Sequence, residues 1–172
     1  MPEAAFDVPG EDDPAAVEAC AELARELGAP WVSGHLWPSR GEVRGMGRRA
    51  QELQDRLGLP FLVEVAEYDS PGVVAEVVER CDCGLVLNLA LLARADSAAF
   101  LRLVPLERVV EVHLTTGDGD GVEVHSEPVA AEVWELFAGM AADVRASVVE
   151  RDGGGQAEVA ADLERARAML GS

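Results

Sequence analysis

The stretch Val109-Val-Glu-Val-His-Leu-Thr-Thr-Gly-Asp-Gly-Asp-Gly-Val-Glu-Val-His-Ser126 decides how the rest of the chain is interpreted. It holds two of the three histidines, each in a Glu-Val-His triplet among β-branched residues, a setting that predicts extended chain. Side chains at positions i and i+2 of a strand point to the same side, so Glu111 pairs with His113 and Glu123 with His125. A carboxylate beside an imidazole suits a divalent metal, a proton relay or a plain ion pair.

Segments with helical and with strand periodicity alternate on both sides of this stretch. The predicted strands are centred near residues 34, 63, 87, 112 and 148. The first predicted helix is capped by Asp12 or Asp13, has Pro14 in its first turn and ends at Gly28. The others are Ala50–Leu57, Gly72–Cys81, a short one from Asp96, Glu127–Asp143 with Ser126 as its cap, and 156–170, while 39–49 is predicted to be a loop. Alternation predicts the α/β class, and the absence of a glycine-rich dinucleotide turn favours a (β/α) barrel of the TIM-barrel type over a Rossmann sheet. A complete barrel needs about eight strands and ~250 residues, so we expect five to six βα units, with the N-terminal units missing.

Length and composition narrow the function. The 172 residues suit one domain over 1–172, with 1–11 as a remnant strand or a flexible segment. A net charge of −18, with 14 arginines and no lysine, argues against nucleic acid and excludes lysine chemistry. We interpret the acidity as a solubility feature, or as a docking face for a basic peptide.

No apolar run reaches the ~20 residues of a membrane span, and no secretory signal is present, so we expect a cytoplasmic protein. The three cysteines, Cys20, Cys81 and Cys83, are expected to be buried thiols.

A polar residue interrupts each predicted strand near its carboxyl end. These residues are His35, Glu64, Asn88, His113 and Glu150. Strand ends converge on one mouth of a parallel barrel, and Glu123 and His125 on the following loop can reach the same mouth. Such imidazoles and carboxylates are ligands for iron, manganese or zinc, and there are enough of them for two ions. The alternative is that loop backbone satisfies each group singly, which is the better interpretation for Asn88 alone.

Six short motifs carry a resemblance to a known family. They are Val32-Ser-Gly-His-Leu36, Glu52-Leu-Gln-Asp-Arg-Leu-Gly58 leading to Leu62-Val-Glu64, Cys83-Gly-Leu-Val-Leu-Asn88, Glu111-Val-His-Leu114, Glu123-Val-His-Ser-Glu-Pro-Val129 with Val133-Trp-Glu-Leu136, and Val149-Glu-Arg-Asp152. In this order and spacing, from about residue 12 to the C-terminus, the chain resembles the multinuclear non-haem iron-dependent oxidative enzymes. That barrel family includes the methanobactin-biosynthesis oxidase.

The resemblance implies a function and a ligand set. The implied iron ligands are His35, Glu64, His113, His125 and Glu150, with Glu123 in place of the usual aspartate. The implied activity is O₂-dependent oxidation of cysteine residues in a ribosomally made peptide, which a partner protein often presents. Asn88 stands where the family has an aspartate, Ala90-Leu91 replaces paired asparagines, and Val65 replaces another asparagine. The resemblance therefore implies two irons rather than three, and leaves Asn88 as a weaker ligand.

Three functions follow from these residues. The first, an iron- and O₂-dependent oxidoreductase of natural product biosynthesis, is favoured. The second is a catalytically impaired relative that binds a peptide or another subunit, including a second copy of itself. The third is another divalent-metal barrel, an isomerase or a hydrolase.

Overall fold

Strands and helices alternate along the chain, as the sequence predicts. The computed structural model describes residues 14–35, 43–65, 71–80, 82–95, 97–117, 123–152 and 155–171. The helices are α1 (Pro14–Leu27), α2 (Val43–Leu57), α3 (Pro71–Arg80), α4 (Leu89–Arg94), α5 (Ser97–Leu103), α6 (Ala131–Met140) and α7 (Gln156–Leu170). The strands are β1 (Val32–His35), β2 (Phe61–Val65), β3 (Gly84–Asn88), β4 (Val109–Leu114), β5 (Thr116–Gly117), β6 (Glu123–Val124) and β7 (Ala146–Val149). The predictions for residues 1–11 and 118–122 lie outside the described residues.

Five of these strands form one sheet in the order β1-β2-β3-β4-β7. β1 runs parallel to β2, and β4 runs parallel to β7. The short strands β5 and β6 form a separate antiparallel pair. A parallel sheet whose strands are joined through helices confirms the predicted α/β class. In the part of the chain that the structure describes, no helix is both long and apolar enough to cross a membrane.

The described residues form two compact units, and the first comprises 14–65 and 72–86. Its core comes from one face of α1, one face of α2 and the whole of β2. The buried side chains include Val17, Ala21, Ala24, Ala50, Leu53, Leu57, Phe61, Leu62 and Val63. Gly28 and Gly58 follow the two helices with φ of +62° and +63°. Glycine adopts this left-handed conformation without steric cost, so the predicted helix ends are confirmed.

The second unit comprises Pro71 and the described residues from Leu87 onward. Helix α6 buries one face in the core of this unit, and the buried residues have the spacing expected of an amphipathic helix. The buried residues of that face are Val133, Trp134, Phe137 and Met140. The guanidinium carbon of Arg165 on α7 lies 4.4 Å from the centre of the Trp134 ring. This cation–π contact packs the last helix against α6.

Helix α2 is longer than predicted. It begins at Val43, so residues 43–49 of the predicted 39–49 loop are helical. Gly45 and Gly47 suggested a loop because glycine disfavours a helix interior. Propensity is a weak guide, and the buried face from Ala50 to Leu57 anchors a helix that extends through these glycines.

Two further boundaries were wrong. Residues Leu89 and Ala90, predicted to end a strand, begin helix α4 because Asn88 caps its first turn. Helix α6 begins at Ala131 rather than at Glu127, so Ser126 does not cap it. A residue before proline is disfavoured in the helical conformation, and Pro128 therefore keeps Glu127 out of the helix.

Candidate functional site

One histidine–carboxylate pair lies in the first unit. His35 is the last residue of β1, and it faces Glu64 of β2 in the parallel register. Because registered partners on neighbouring strands point to the same side, the two side chains meet. His35 Nε2 lies 3.3 Å from Glu64 Oε1, and the Glu64 side chain is only 4% exposed. Burial disfavours an unpaired carboxylate charge, so the close approach of His35 makes this pair a candidate ligand pair.

The second unit carries another pair on β4. Glu111 and His113 lie two residues apart on this strand and point to the same side, as the Glu-Val-His triplet predicts. His113 Nε2 and Glu111 Oε1 are 3.1 Å apart and hydrogen-bonded. The two side chains are 2% and 3% exposed. This prediction from strand periodicity is therefore confirmed, in a setting almost free of bulk water.

Glu150 approaches the other nitrogen of the same histidine. It directly follows β7, and its N–H donates to the carbonyl of Leu114 at 3.1 Å. His113 is registered with Val148, and Glu150 lies two residues further along, so it points to the same side as His113. Glu150 Oε1 lies 3.4 Å from His113 Nδ1. The imidazole of His113 thus lies between two carboxylates.

His125 pairs with Asp152, a residue outside the predicted ligand set. The N–H of Asp152 donates to the carbonyl of His125 at 2.8 Å. This bond brings Asp152 Oδ2 within 3.6 Å of His125 Nδ1. The His125 side chain is 28% exposed and that of Asp152 86%, so this pair is open to solvent.

The second Glu-Val-His triplet is not extended throughout. Strand β6 ends at Val124 and His125 begins a turn, so the expected same-side pairing of Glu123 with His125 does not follow from strand geometry. Glu123 pairs with Gly117 through the backbone, and its side chain lies outside the described part. Its role as a ligand stays a prediction.

Asn88 has a structural function. Its Oδ1 accepts hydrogen bonds from the N–H groups of Ala90 and Leu91, at 3.1 and 3.3 Å. Capping the first turn of α4 explains why this polar residue ends a buried strand. Its role as a weaker metal ligand also stays a prediction.

Sequence reasoning left Glu111 and Asp152 out of the ligand set. The period-two rule already paired Glu111 with His113, and applied to Glu150 it also places Asp152 on the same side. Arg151 between them points away and binds Asp162 and Glu158 of α7, each at 3.1 Å.

The donor atoms fit a divalent metal in pairs. Two ligands about 2.0–2.2 Å from one ion are separated by roughly 2.8–3.6 Å when their angle is near tetrahedral or octahedral. Four histidine–carboxylate separations lie in this range: His113–Glu111 at 3.1 Å, His35–Glu64 at 3.3 Å, His113–Glu150 at 3.4 Å and His125–Asp152 at 3.6 Å. Among the residues whose side chains are described, no three histidine, cysteine or acidic side chains form a complete ligand group. Each unit therefore presents ligand pairs.

The fold and these pairs define a TIM-barrel-like α/β protein with histidine–carboxylate pairs at strand ends. The fold is similar to that of a sugar phosphate isomerase/epimerase from Parabacteroides distasonis, with a TM-score of 0.55 and 10% identity over 98% of this chain and 69% of that one. It is also similar to D-psicose 3-epimerase from Clostridium cellulolyticum, with a TM-score of 0.59 and 12% identity over 94% and 73% of the two chains. At these identities the likeness shows the fold alone, and confirms the predicted TIM-barrel type.

Sequence comparison defines the family. A UPF0276 protein of Anaeromyxobacter sp. strain Fw109-5 is 30% identical over 151 residues, covering 68% of this chain and 53% of the relative. A UPF0276 protein of Shewanella loihica is 33% identical over 129 residues, covering 61% and 46%. The chain spans about half the length of these curated relatives. The sequence pattern described as "RiPP precursor modification enzyme MbnB/TglH/ChrH" matches residues 38–171. The chain belongs to this family.

Proposed function

We propose that this chain takes part in the iron- and O₂-dependent oxidation of cysteine residues in a ribosomally made precursor peptide. The observation that carries the proposal is His113, buried between the carboxylates of Glu111 and Glu150 in a chain of the RiPP precursor modification family. If the imidazole of His113 is neutral it offers only one N–H, so only one of the two carboxylates can accept from it. A metal ion shared by His113 and Glu150 would then supply positive charge beside these acids.

The second unit would hold iron through His113, Glu150 and His125, together with Glu123 as the sequence predicts. His113 is the buried member of this group at 2% exposed, and Glu150 and His125 are 16% and 28% exposed. Imidazole nitrogens and carboxylate oxygens suit non-haem iron. His125 and Asp152 lie where a peptide from solvent can reach them, because both side chains remain accessible.

The first unit would hold a metal ion through His35 and Glu64. Their shared position in the β1–β2 register fixes both side chains on one side of the sheet. Strand residues are held more rigidly than loop residues, which favours a defined ligand geometry. The pair fits two ligands of one ion.

Bound iron would supply the redox chemistry with O₂ next to a substrate thiolate. The residues of this chain would act as the ligands and limit the access of water. Glu111, His113 and Glu64 are 2–4% exposed, so water is largely excluded from these side chains. The precursor peptide, a protein that presents it, and a second copy of the chain are the partners that we propose.

Metal analysis of anaerobically purified protein tests the proposal. After loading with ferrous iron we expect about one to two irons per chain, as a histidine–carboxylate set of this size permits. His113→Ala and Glu150→Gln should lower the iron content, because each removes a proposed ligand. Glu164→Gln, an exposed change on α7, is the matched control and should leave the content unchanged. Wild-type protein without iron under several loading conditions would contradict the proposal.

The position of Asn88 favours a second candidate function, binding of a peptide or subunit without catalysis. The amide oxygen of Asn88 is engaged by two N–H groups of α4, and an amide is a weaker ligand than the aspartate of the family. Asn88→Asp keeps the cap and restores a charged ligand. Iron uptake by this variant, but not by the wild type, would support the second function over the first.

A further inference from the structure

We infer that Glu111 is a positioning residue, which holds the His113 ring so that Nδ1 is the nitrogen that binds the metal. This inference rests on the proposed function. The proposed ligand set does not include Glu111. Its side chain nevertheless lies nearer to His113 than that of the predicted ligand Glu150, at 3.1 Å against 3.4 Å.

The two ring nitrogens of His113 face different carboxylates. The Nε2–Oε1 distance of 3.1 Å to Glu111 satisfies the criteria of a hydrogen bond. The Nδ1–Oε1 distance of 3.4 Å to Glu150 lies beyond the usual N–H···O range of about 2.7–3.2 Å. Both separations are compatible with two ligands of one ion, so the strand register and the burial of the two carboxylates assign their roles. A neutral ring with its hydrogen on Nε2 leaves the Nδ1 lone pair directed at the Glu150 side.

The strand register gives the ring its direction. On β4, Glu111 and His113 are two residues apart, which is about 6.6 Å along a parallel strand. Glu111 is registered with Ala146 and His113 with Val148, and Glu150 lies a further two residues toward the carboxyl end. Glu111 therefore lies on the amino-terminal side of the ring and Glu150 on the carboxyl-terminal side. In TIM-barrel enzymes the active site lies at the carboxyl ends of the strands, so Nδ1 faces the functional end.

Burial agrees with this direction. The Glu111 side chain is 3% exposed, whereas that of Glu150 is 16% exposed. A metal that must meet a substrate belongs on the more accessible side of the ring. The carboxylate on the buried side is suited to accept the Nε2 hydrogen, the usual arrangement behind a metal-binding histidine.

The tautomer of His113 is a direct measurement of this role, and it needs no metal. We expect nitrogen NMR of metal-free protein labelled with ¹⁵N-histidine, at about pH 9 where an ordinary imidazole is neutral, to show the hydrogen on Nε2. His35→Gln and His125→Gln assign the remaining ring to His113. In Glu111→Leu the preference for Nε2 should be lost. A hydrogen on Nδ1 of the wild-type ring, alone or in addition to Nε2, would overturn the inference.

Iron affinity provides the second readout. Glu111→Leu should weaken ferrous iron binding about 10- to 100-fold, the usual effect of losing a residue that supports a ligand. Glu111→Gln keeps an acceptor oxygen and should restore much of the affinity. Glu150→Leu, which removes a ligand, should have a larger effect than Glu111→Leu.

The outcomes separate the inference from the proposed function. Equal losses of iron affinity in Glu111→Leu and Glu150→Leu would indicate that Glu111 is itself a ligand. Wild-type iron affinity in Glu111→Leu would show that Glu111 does not support metal binding. Either result overturns the inference while the proposed function stands. Wild-type protein that binds no iron contradicts the proposed function, and the NMR measurement still decides the tautomer. Thermal unfolding of each variant separates a loss of stability from a change at the ring.

Discussion

His113 illustrates which parts of a site can be inferred at the level of single residues. Its pairing with Glu111 follows from the period-two geometry of an extended chain, and the structure confirms it. Its approach to Glu150 depends on how β4 and β7 are registered, and no local pattern specifies that register. The pairing of His35 with Glu64 has the same origin. Residues at strand ends can therefore be predicted as candidate ligands, whereas their partners on neighbouring strands cannot be predicted from local sequence.

Cys20 gives a prediction at this scale. Partial burial on α1 raises the pKa of its thiol, because the low-dielectric surroundings disfavour the thiolate. We expect Cys20 to react with iodoacetamide more slowly in the folded protein than in urea near pH 8, where less of the folded thiol is ionised. Peptide mapping of the alkylated protein identifies the residue.

The same shift gives a pH dependence of stability. The folded state binds this proton more tightly than the unfolded state, so the free energy of unfolding should fall as pH rises above the ordinary thiol pKa. Cys20→Ser should lack this part of the dependence. Equal alkylation rates in the folded and unfolded protein would contradict the expectation.

Secondary structure elements were predicted in type and order, and their ends were less well predicted. Strand β4 was predicted over Val109–Leu114 and helix α7 over 156–170, and the structure confirms both bounds. Glycines flank α7 at both ends. Helix α4 was missed because its N-cap, Asn88, ends a continuous apolar run that has the composition of a strand. Capping is a contact between a side chain and the backbone, and an asparagine in such a run predicts it only weakly.

Helix α7 is attached to the segment after β7 by a fork of hydrogen bonds. The side chain of Arg151 is 2% exposed, and those of Asp162 and Glu158 are 16% and 62% exposed. Asp162→Asn should lower the free energy of unfolding by about 1–3 kcal/mol, because a buried guanidinium then loses its charged partner. Glu158→Gln should cost less than about 1 kcal/mol, since an exposed ion pair contributes little.

Urea unfolding of the two variants measures this difference, and Glu164→Gln on the same helix is the neutral control. Equal destabilisation by the changes at Asp162 and Glu158 would mean that burial does not determine how much each ion pair of Arg151 contributes to stability. Unchanged stability in both would mean that packing alone, including the contact of Arg165 with Trp134, holds the helix.

At the scale of the whole molecule, the alternation of strands and helices was sufficient to predict the architecture. Short repeats without a dinucleotide turn predicted a barrel type, and the solved structures of similar fold confirm it. The family was predicted from short motifs in a fixed order, and the match over residues 38–171 confirms it. The iron and the cysteine substrate rest on chemistry that no backbone pattern contains, and they stay proposals.

The charge of −18 gives a prediction for the whole chain. Like charges repel most strongly in the compact state, and salt screens them over a Debye length that falls from about 30 Å at 0.01 M to about 8 Å at 0.15 M. The midpoint of thermal unfolding should therefore rise between these concentrations of sodium chloride. Sucrose in place of salt controls for a general solvent effect, and a midpoint that falls or stays constant with salt would contradict the prediction.

The three residues after β7 face alternately to opposite sides: Glu150 and Asp152 toward histidines, and Arg151 toward α7. One backbone segment thus directs side chains both to the histidines and to α7. Which side a residue faces depends only on whether its position in the segment is odd or even. Deleting or inserting a single residue here would exchange the two sides, directing a guanidinium at His113 and carboxylates at the acidic side chains of α7. Natural variation in this segment should therefore occur by substitution, and changes of length should come in steps that preserve the alternation.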